Sequence, residues 1–182
     1  MRKTVLTFGL ISGIVMSAML LLTMPFQARI GFEAGAVIGY ATMVAASLLV
    51  YFGARRYRDT VAGGSVSFGR AFAVGALIAV VAGACYTATW EAIYARIGPE
   101  FDARYRAHAL ERAQAHGATP AELARKKADL DEFAAQYHNV AINAAMTFLE
   151  PLPVGLIAAL VSAGLLRRRR SGQASADFAR VS

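Results

Sequence analysis

Four apolar stretches, over residues 5–24, 35–52, 72–93 and 144–166, fix the solvent of this chain before any motif is considered. Each is about the 20 residues that a helix needs to cross roughly 30 Å of hydrocarbon. A soluble fold has little use for four such segments. The expected fold class is therefore all-α: an integral membrane four-helix bundle with an external, periplasmic-side helical hairpin between the third and fourth spans. The membrane domain is expected over 1–170, followed by a disordered cytoplasmic tail over 171–182. Arg2 and Lys3 before the first stretch have the look of a signal peptide. The apolar run is longer than a usual h-region, however, and lacks a convincing small-x-small cleavage site. The first stretch is read as a retained helix, which puts both termini on one side.

The 182 residues carry a formal net charge of +7. An excess of that size can signal nucleic-acid binding, but here it lies beside the apolar stretches. Arg2, Lys3, Arg55, Arg56, Arg58, Arg70, Arg167 to Arg170 and Arg180 flank them tightly on one side. Most of the remaining basic residues lie in the long third loop among seven acids. Cytoplasmic loops are the ones enriched in Lys and Arg, so both termini and the loop carrying Arg55 to Arg70 are expected in the cytoplasm, with the third loop outside. No nucleic-acid partner is implied; the lipid bilayer is. Cys85 has no partner for an internal disulfide.

The third loop, residues 94–143, has a helical pattern. Gly98-Pro99 is expected to stop the third span, because proline lacks an N–H and disfavours helix in the residue before it. Beyond it Phe101, Tyr105, His108 and Arg112 share one helical face, and Glu100/Arg104 and Asp102/Arg106 are spaced as i,i+4 pairs. Gly117 ends that helix. Thr119-Pro120-Ala121-Glu122 then reads as a capping box with proline at the first helical position. Leu123, Leu130, Phe133 and Tyr137 make a narrow apolar stripe on the helix that follows, giving a hairpin over about 99–137.

Every span also carries small residues four apart: Gly9, Gly13 and Ser17; Gly31, Gly35 and Gly39; Gly75, Ala79 and Gly83; Gly155, Ala159 and Ala163. In lipid, helices associate where small side chains let backbones approach. The pattern serves packing within the chain, a homo-oligomer or a membrane protein partner equally well.

Three acids, Glu33, Glu91 and Glu150, stand at comparable depth on the outer side, with Arg29 and Arg96 at the same level. Ionisable residues inside a membrane are costly and mark function by default, so one reading is an outer acidic site for a cation, proton or amine. The preferred reading is structural: Glu150 pairs with Arg29 or Arg96 and locks the rim, so that neutralising it lowers bundle stability. Pro151 and Pro153 free the carbonyls of Thr147 and Leu149 and are expected to kink the fourth span. No protease, hydrolase, phosphate-loop or paired-cysteine spacing occurs, and His108, His116 and His138 lack ligand-like spacing. No catalytic residue, cofactor or metal is expected.

Lys3-Thr4-Val5 with Gly9-Leu10-Ile11-Ser12-Gly13, then Ile38-Gly39-Tyr40, Tyr51-Phe52-Gly53, Tyr57-Arg58-Asp59, Ser67-Phe68-Gly69-Arg70-Ala71-Phe72, Phe148-Leu149-Glu150 and Pro153-Val154-Gly155-Leu156 follow one another in order. In these pieces and their spacing the chain resembles the bacterial membrane proteins grouped as domain of unknown function 4199. The resemblance implies a four-span protein of a bacterial inner membrane with no established activity and no family catalytic residues. The function expected is non-enzymatic, through helix packing or partner interaction. The alternative is a small oligomeric transporter or ion-coupled permeation protein using the outer acidic site.

Overall fold

A computed structural model of the chain describes residues 1–167. The expected tail over 171–182 lies outside the described residues. Helix α1 (Arg2–Thr23) leads through a 3-10 turn (Met24–Phe26) into the short α2 (Gln27–Ile30). Then follow α3 (Phe32–Thr60), α4 (Phe68–Ala115), α5 (Pro120–Tyr137), α6 (Val140–Leu149) and α7 (Leu152–Leu166). Four helical segments are long and apolar enough to cross a membrane: Arg2–Ile30, Phe32–Thr60, Phe68–Ala115 and Val140–Leu166. Among the described residues there is no strand.

The helix starts are made by side chains that satisfy otherwise orphaned N–H groups. Ser67 Oγ accepts from Arg70 N at 3.4 Å. Thr119 Oγ1 accepts from Glu122 N at 3.3 Å, and Glu122 Oε2 accepts from Thr119 N at 2.7 Å, completing the capping box. Asn139 Oδ1 accepts from Ala141 N at 3.0 Å and opens α6. Gly117, at φ 83°, turns the chain between α4 and α5 in a conformation that a side chain would strain.

The bundle is closed at one end and splayed at the other. All buried residues of α1 lie in its first two-thirds, from Thr4 to Met16, and those of α3 begin only at Met43. With Ala71 to Gly83 of α4 and Gly155 to Leu166 of α7 they form a core around Val50, Val74 and Ile78. Three of the four small-residue rows are used here, within the chain. A Cβ added at Gly9 would fall 2.6 Å from Val81 Cβ, one at Gly13 2.6 Å from Cys85 Cβ, and one at Gly155 2.6 Å from Ala79 Cβ. Gly75 sits against two helices at once, Ala159 of α7 and Val50 of α3. Hydroxyls add inter-helix bonds, from Ser12 to Ala46 O at 3.1 Å and from Thr89 to Ser17 Oγ at 2.8 Å.

The expected stop at Gly98-Pro99 does not occur. Helix α4 runs unbroken from Phe68 to Ala115 with Pro99 inside it. A brace across the proline accounts for this: Tyr94 Oη donates to Asp102 Oδ2 at 2.7 Å. The ring lies along the helix because residue 98 has no side chain; a Cβ there would sit 3.0 Å from Tyr94 Cε1. That bond, with Trp90 packed edge-on against Phe101 at 5.2 Å, holds the two sides of the proline in line. It also means that Asp102 does not pair with Arg106, which instead reaches Asp131 of α5 at 2.9 Å. Glu100 and Arg104 do pair, at 2.6 Å.

Beyond the span, the face Phe101, Tyr105, His108 and Arg112 packs on the start of α3. Phe32 meets the three rings at centroid distances of 5.7, 5.5 and 5.3 Å, and Arg112 Nη1 lies 3.0 Å from Glu33 Oε1. The fourth span is interrupted where the first of the two prolines stands. Helix α6 ends at Leu149, Glu150 and Pro151 form the joint, and α7 resumes at Leu152.

Candidate ligand cavity

Where the helices splay, α3 keeps its contact with α7 but has no comparable packing on α6. The space between them is a cavity of about 540 Å³, walled by α1, α3, α4, α5 and α6 and reaching the Glu150 joint. Its existence follows from the sequence of α3. Gly35, Ala36 and Gly39 face it, and a Cβ added at Gly39 would meet nothing within 4 Å. Of the α3 row, Gly39 stands open to the cavity, while a Cβ at Gly35 would lie 3.3 Å from Gln27 Nε2 of α2.

One side of the cavity is apolar and pliable, with Met16, Met19, Leu20, Met43 and Met146. The lining is also aromatic, with Phe32 and Tyr40 from α3, Tyr86, Trp90, Phe101 and Tyr105 from α4 and Tyr137 from α5. The rings are locked together, Tyr94 against Tyr137 at 5.3 Å and Trp90 against Tyr94 at 5.8 Å. Trp90 is buried and donates its Nε1–H to Asn143 Oδ1 at 3.0 Å. Thr147 Oγ1 donates to the same Asn143 oxygen at 3.2 Å and lies 3.2 Å from Tyr137 Oη, so α4, α5 and α6 are tied by one polar chain. Asn143 Nδ2 has no partner there.

Three charged side chains line the cavity. Arg106 is matched by Asp131, and Asp102 accepts from Tyr94 with His138 Nδ1 3.7 Å away. Asp131 is held below the ordinary 3.8 by the hydrogen bond from Lys127, at 2.8 Å, with Arg106 adding to the effect. Glu150 differs from both. Its only side-chain partner is Tyr86 Oη at 3.5 Å, and it has no cationic neighbour among the described residues.

The expected ion pairs are thus not formed. Arg29 in α2 and Arg96 in α4 are exposed and pair with none of the three acids. Height along the membrane normal put them level with Glu150, but a helix also fixes azimuth, and both point elsewhere. Nor do the three acids meet. Glu33 is turned to Arg112 at the rim, and Glu91, half-buried on α4 with Oε1 unpartnered, does not line the cavity. Tyr86, Trp90, Asn143 and the α3 glycines were not singled out as site residues from sequence. Their signal is spatial, except that Trp90, Tyr94 and Phe101 recur at helical spacing.

No curated protein matches the chain, and no solved structure does. A family profile described as protein of unknown function (DUF4199) matches residues 7–168, from the first helix through the last. The match takes in every wall of the cavity, and the chain belongs to the DUF4199 family.

Proposed function

We propose that the protein is a non-enzymatic membrane protein that acts by interaction, holding an amphipathic small molecule in the cavity between α3 and α6. The observation that carries this is the cavity itself, whose 540 Å³ lies in the range of small-molecule sites and which combines an apolar wall with a few polar groups. Such sites form between helices of bundles, and this one is built where bundle packing stops. The small-residue rows of α1, α4 and α7 serve intrachain contacts, which favours the first of the uses open to them. The end around Val50, Val74 and Ile78 is filled by apolar side chains, so this arrangement favours holding a molecule over passing one through.

Basic residues, among them Arg2, Lys3, Arg55 and Arg56, flank the closed end. By the positive-inside rule that end faces the cytoplasm and the cavity belongs to the outer half of the bilayer. Native mass spectrometry of protein extracted in a mild detergent tests the function: wild type carries a small-molecule adduct, and Gly39→Leu, whose side chain grows into the cavity, does not. Equal adducts on both proteins reject the reading. Labelling of Gly117→Cys, in a Cys85→Ala background, by an impermeant maleimide applied outside cells tests the orientation, and protection from the reagent reverses it.

A further inference from the structure

Resting on that reading, we propose that the molecule held in the cavity carries an ammonium head group: it is an amphipathic amine or quaternary ammonium whose cationic end docks at Glu150. Three observations converge on this chemistry. First, Glu150 sits at the α6–α7 joint, opens to the cavity, and has only the long Tyr86 contact at 3.5 Å. A carboxylate within the hydrocarbon is costly unless paired, and counting roughly 1.5 Å per residue from Leu166 puts it about 24 Å into the span. Arg106 is matched by Asp131, and Asp102 is held by the short hydrogen bond from Tyr94 with His138 3.7 Å away, so the unmatched charge of the lining is negative and Glu150 is its least satisfied carboxylate. A cationic ligand completes that balance. An anionic one meets Glu150 and Asp102, and a neutral one leaves Glu150 unpaired.

Second, Tyr40, Tyr86, Trp90 and Tyr137 line the same space. Aromatic faces attract cations, Trp most strongly, and attract organic ammonium groups without stripping a tight hydration shell. A bare metal ion needs several oxygen ligands gathered around it, and among the described residues no three His, Cys, Asp or Glu side chains cluster to supply them. Third, the same lining carries Met16, Met19, Met43 and Met146, flexible side chains that adapt to an alkyl chain of variable shape. The gap between α3 and α6 gives such a chain a way in from the bilayer without crossing the closed end.

Trp90 is the chain's only tryptophan and lies on the cavity wall, so its fluorescence reports occupancy. The experiment uses purified full-length protein in maltoside micelles and three nitroxide quenchers on matched dodecyl chains: a quaternary ammonium, an uncharged ether and a sulfate. The ammonium probe is expected to quench Trp90 saturably at a concentration about tenfold or more below that of the uncharged probe, with the sulfate weakest. Glu150→Gln abolishes the preference between the first two while the protein still melts cooperatively, and Glu150→Asp retains it. Gly39→Leu abolishes saturable quenching by all three. Competition by unlabelled phosphatidylethanolamine against unlabelled dodecyltrimethylammonium separates a lipid head group from a free amine as the source. Saturable quenching that is blind to charge, yet lost in Gly39→Leu, overturns the ammonium assignment and leaves the cavity reading standing. Quenching unaffected by Gly39→Leu overturns both. A preference for the sulfate probe overturns the assignment alone.

Discussion

Gly155→Ala isolates the contact on which the closed end depends. The new Cβ would lie 2.6 Å from Ala79 Cβ, whereas carbon atoms in contact sit at about 3.5–4.0 Å. An alanine methyl cannot rotate out of the way, so α7 must move off α4 by about 1 Å. Overpacking of this kind costs about 1–3 kcal/mol. Against it stands the gain of about 1 kcal/mol in replacing glycine by alanine within a helix. The net expectation is a loss of about 0–2 kcal/mol.

The double variant Gly155→Ala/Ala79→Gly sharpens the prediction. The same Cβ lies 3.6 Å from Ala79 Cα, an ordinary contact, so removing the Ala79 methyl makes room for it. A double-mutant cycle should therefore show a favourable coupling of about 1–3 kcal/mol between the two changes. Gly39→Ala is the control: its Cβ meets nothing within 4 Å, and it should stabilise by about 1 kcal/mol. Unfolding in mixed micelles, followed by far-UV circular dichroism, measures the four proteins of the cycle and the control. Gly155→Ala as stabilising as Gly39→Ala, or an additive cycle, would refute the α4–α7 packing.

Three further outcomes are expected. Asn143→Leu removes the acceptor of the buried Trp90 N–H and should cost about 1–3 kcal/mol with a shift of the Trp90 emission maximum; an unchanged spectrum contradicts the 3.0 Å bond. Glu150→Gln should leave bundle stability unchanged or raise it, since no ion pair is lost, and a clear drop in detergent melts revives the salt-bridged rim. Asp131, held below its ordinary 3.8 first by Lys127 within α5 and also by Arg106 of α4, contributes stability to α5 and its pairing with α4 that is present above 3.8 and fades as pH falls through its lower folded value. Asp131→Asn should therefore flatten that acid limb, read by proteolysis of the hairpin at successive pH values, while an unaltered limb assigns it to other groups.

Much of this was legible from sequence because it is local. Hydropathy over about twenty residues located all four spans, and the Thr119 and Ser67 caps are short-range chemistry that the structure repeats atom for atom. Pro99 went the other way. Its local rule is outweighed by a hydrogen bond from Tyr94 to a residue eight positions on, which needs the helix already present and a glycine at 98 to let the ring pass. The expected pairing of Glu150 with Arg29 or Arg96 is not formed because depth is readable from residue number and azimuth is not. The cavity was hidden for a further reason. A row of glycines looks the same whether a helix closes on it or stands away from it, and only three of the four rows are closed.

The unbroken α4 has a mechanical meaning. At 48 residues it is about 72 Å long, more than twice the hydrocarbon thickness, and it belongs at once to the closed core, the cavity wall and the α5 pairing. With Tyr94 bonded across Pro99 there is no hinge between these parts. A movement of the hairpin is thereby coupled, through one continuous helix, to Trp90 and to the glycine contacts of α1 and α7. Break the Tyr94–Asp102 bond and the proline becomes a joint, leaving the hairpin free to swing while the membrane core stays still.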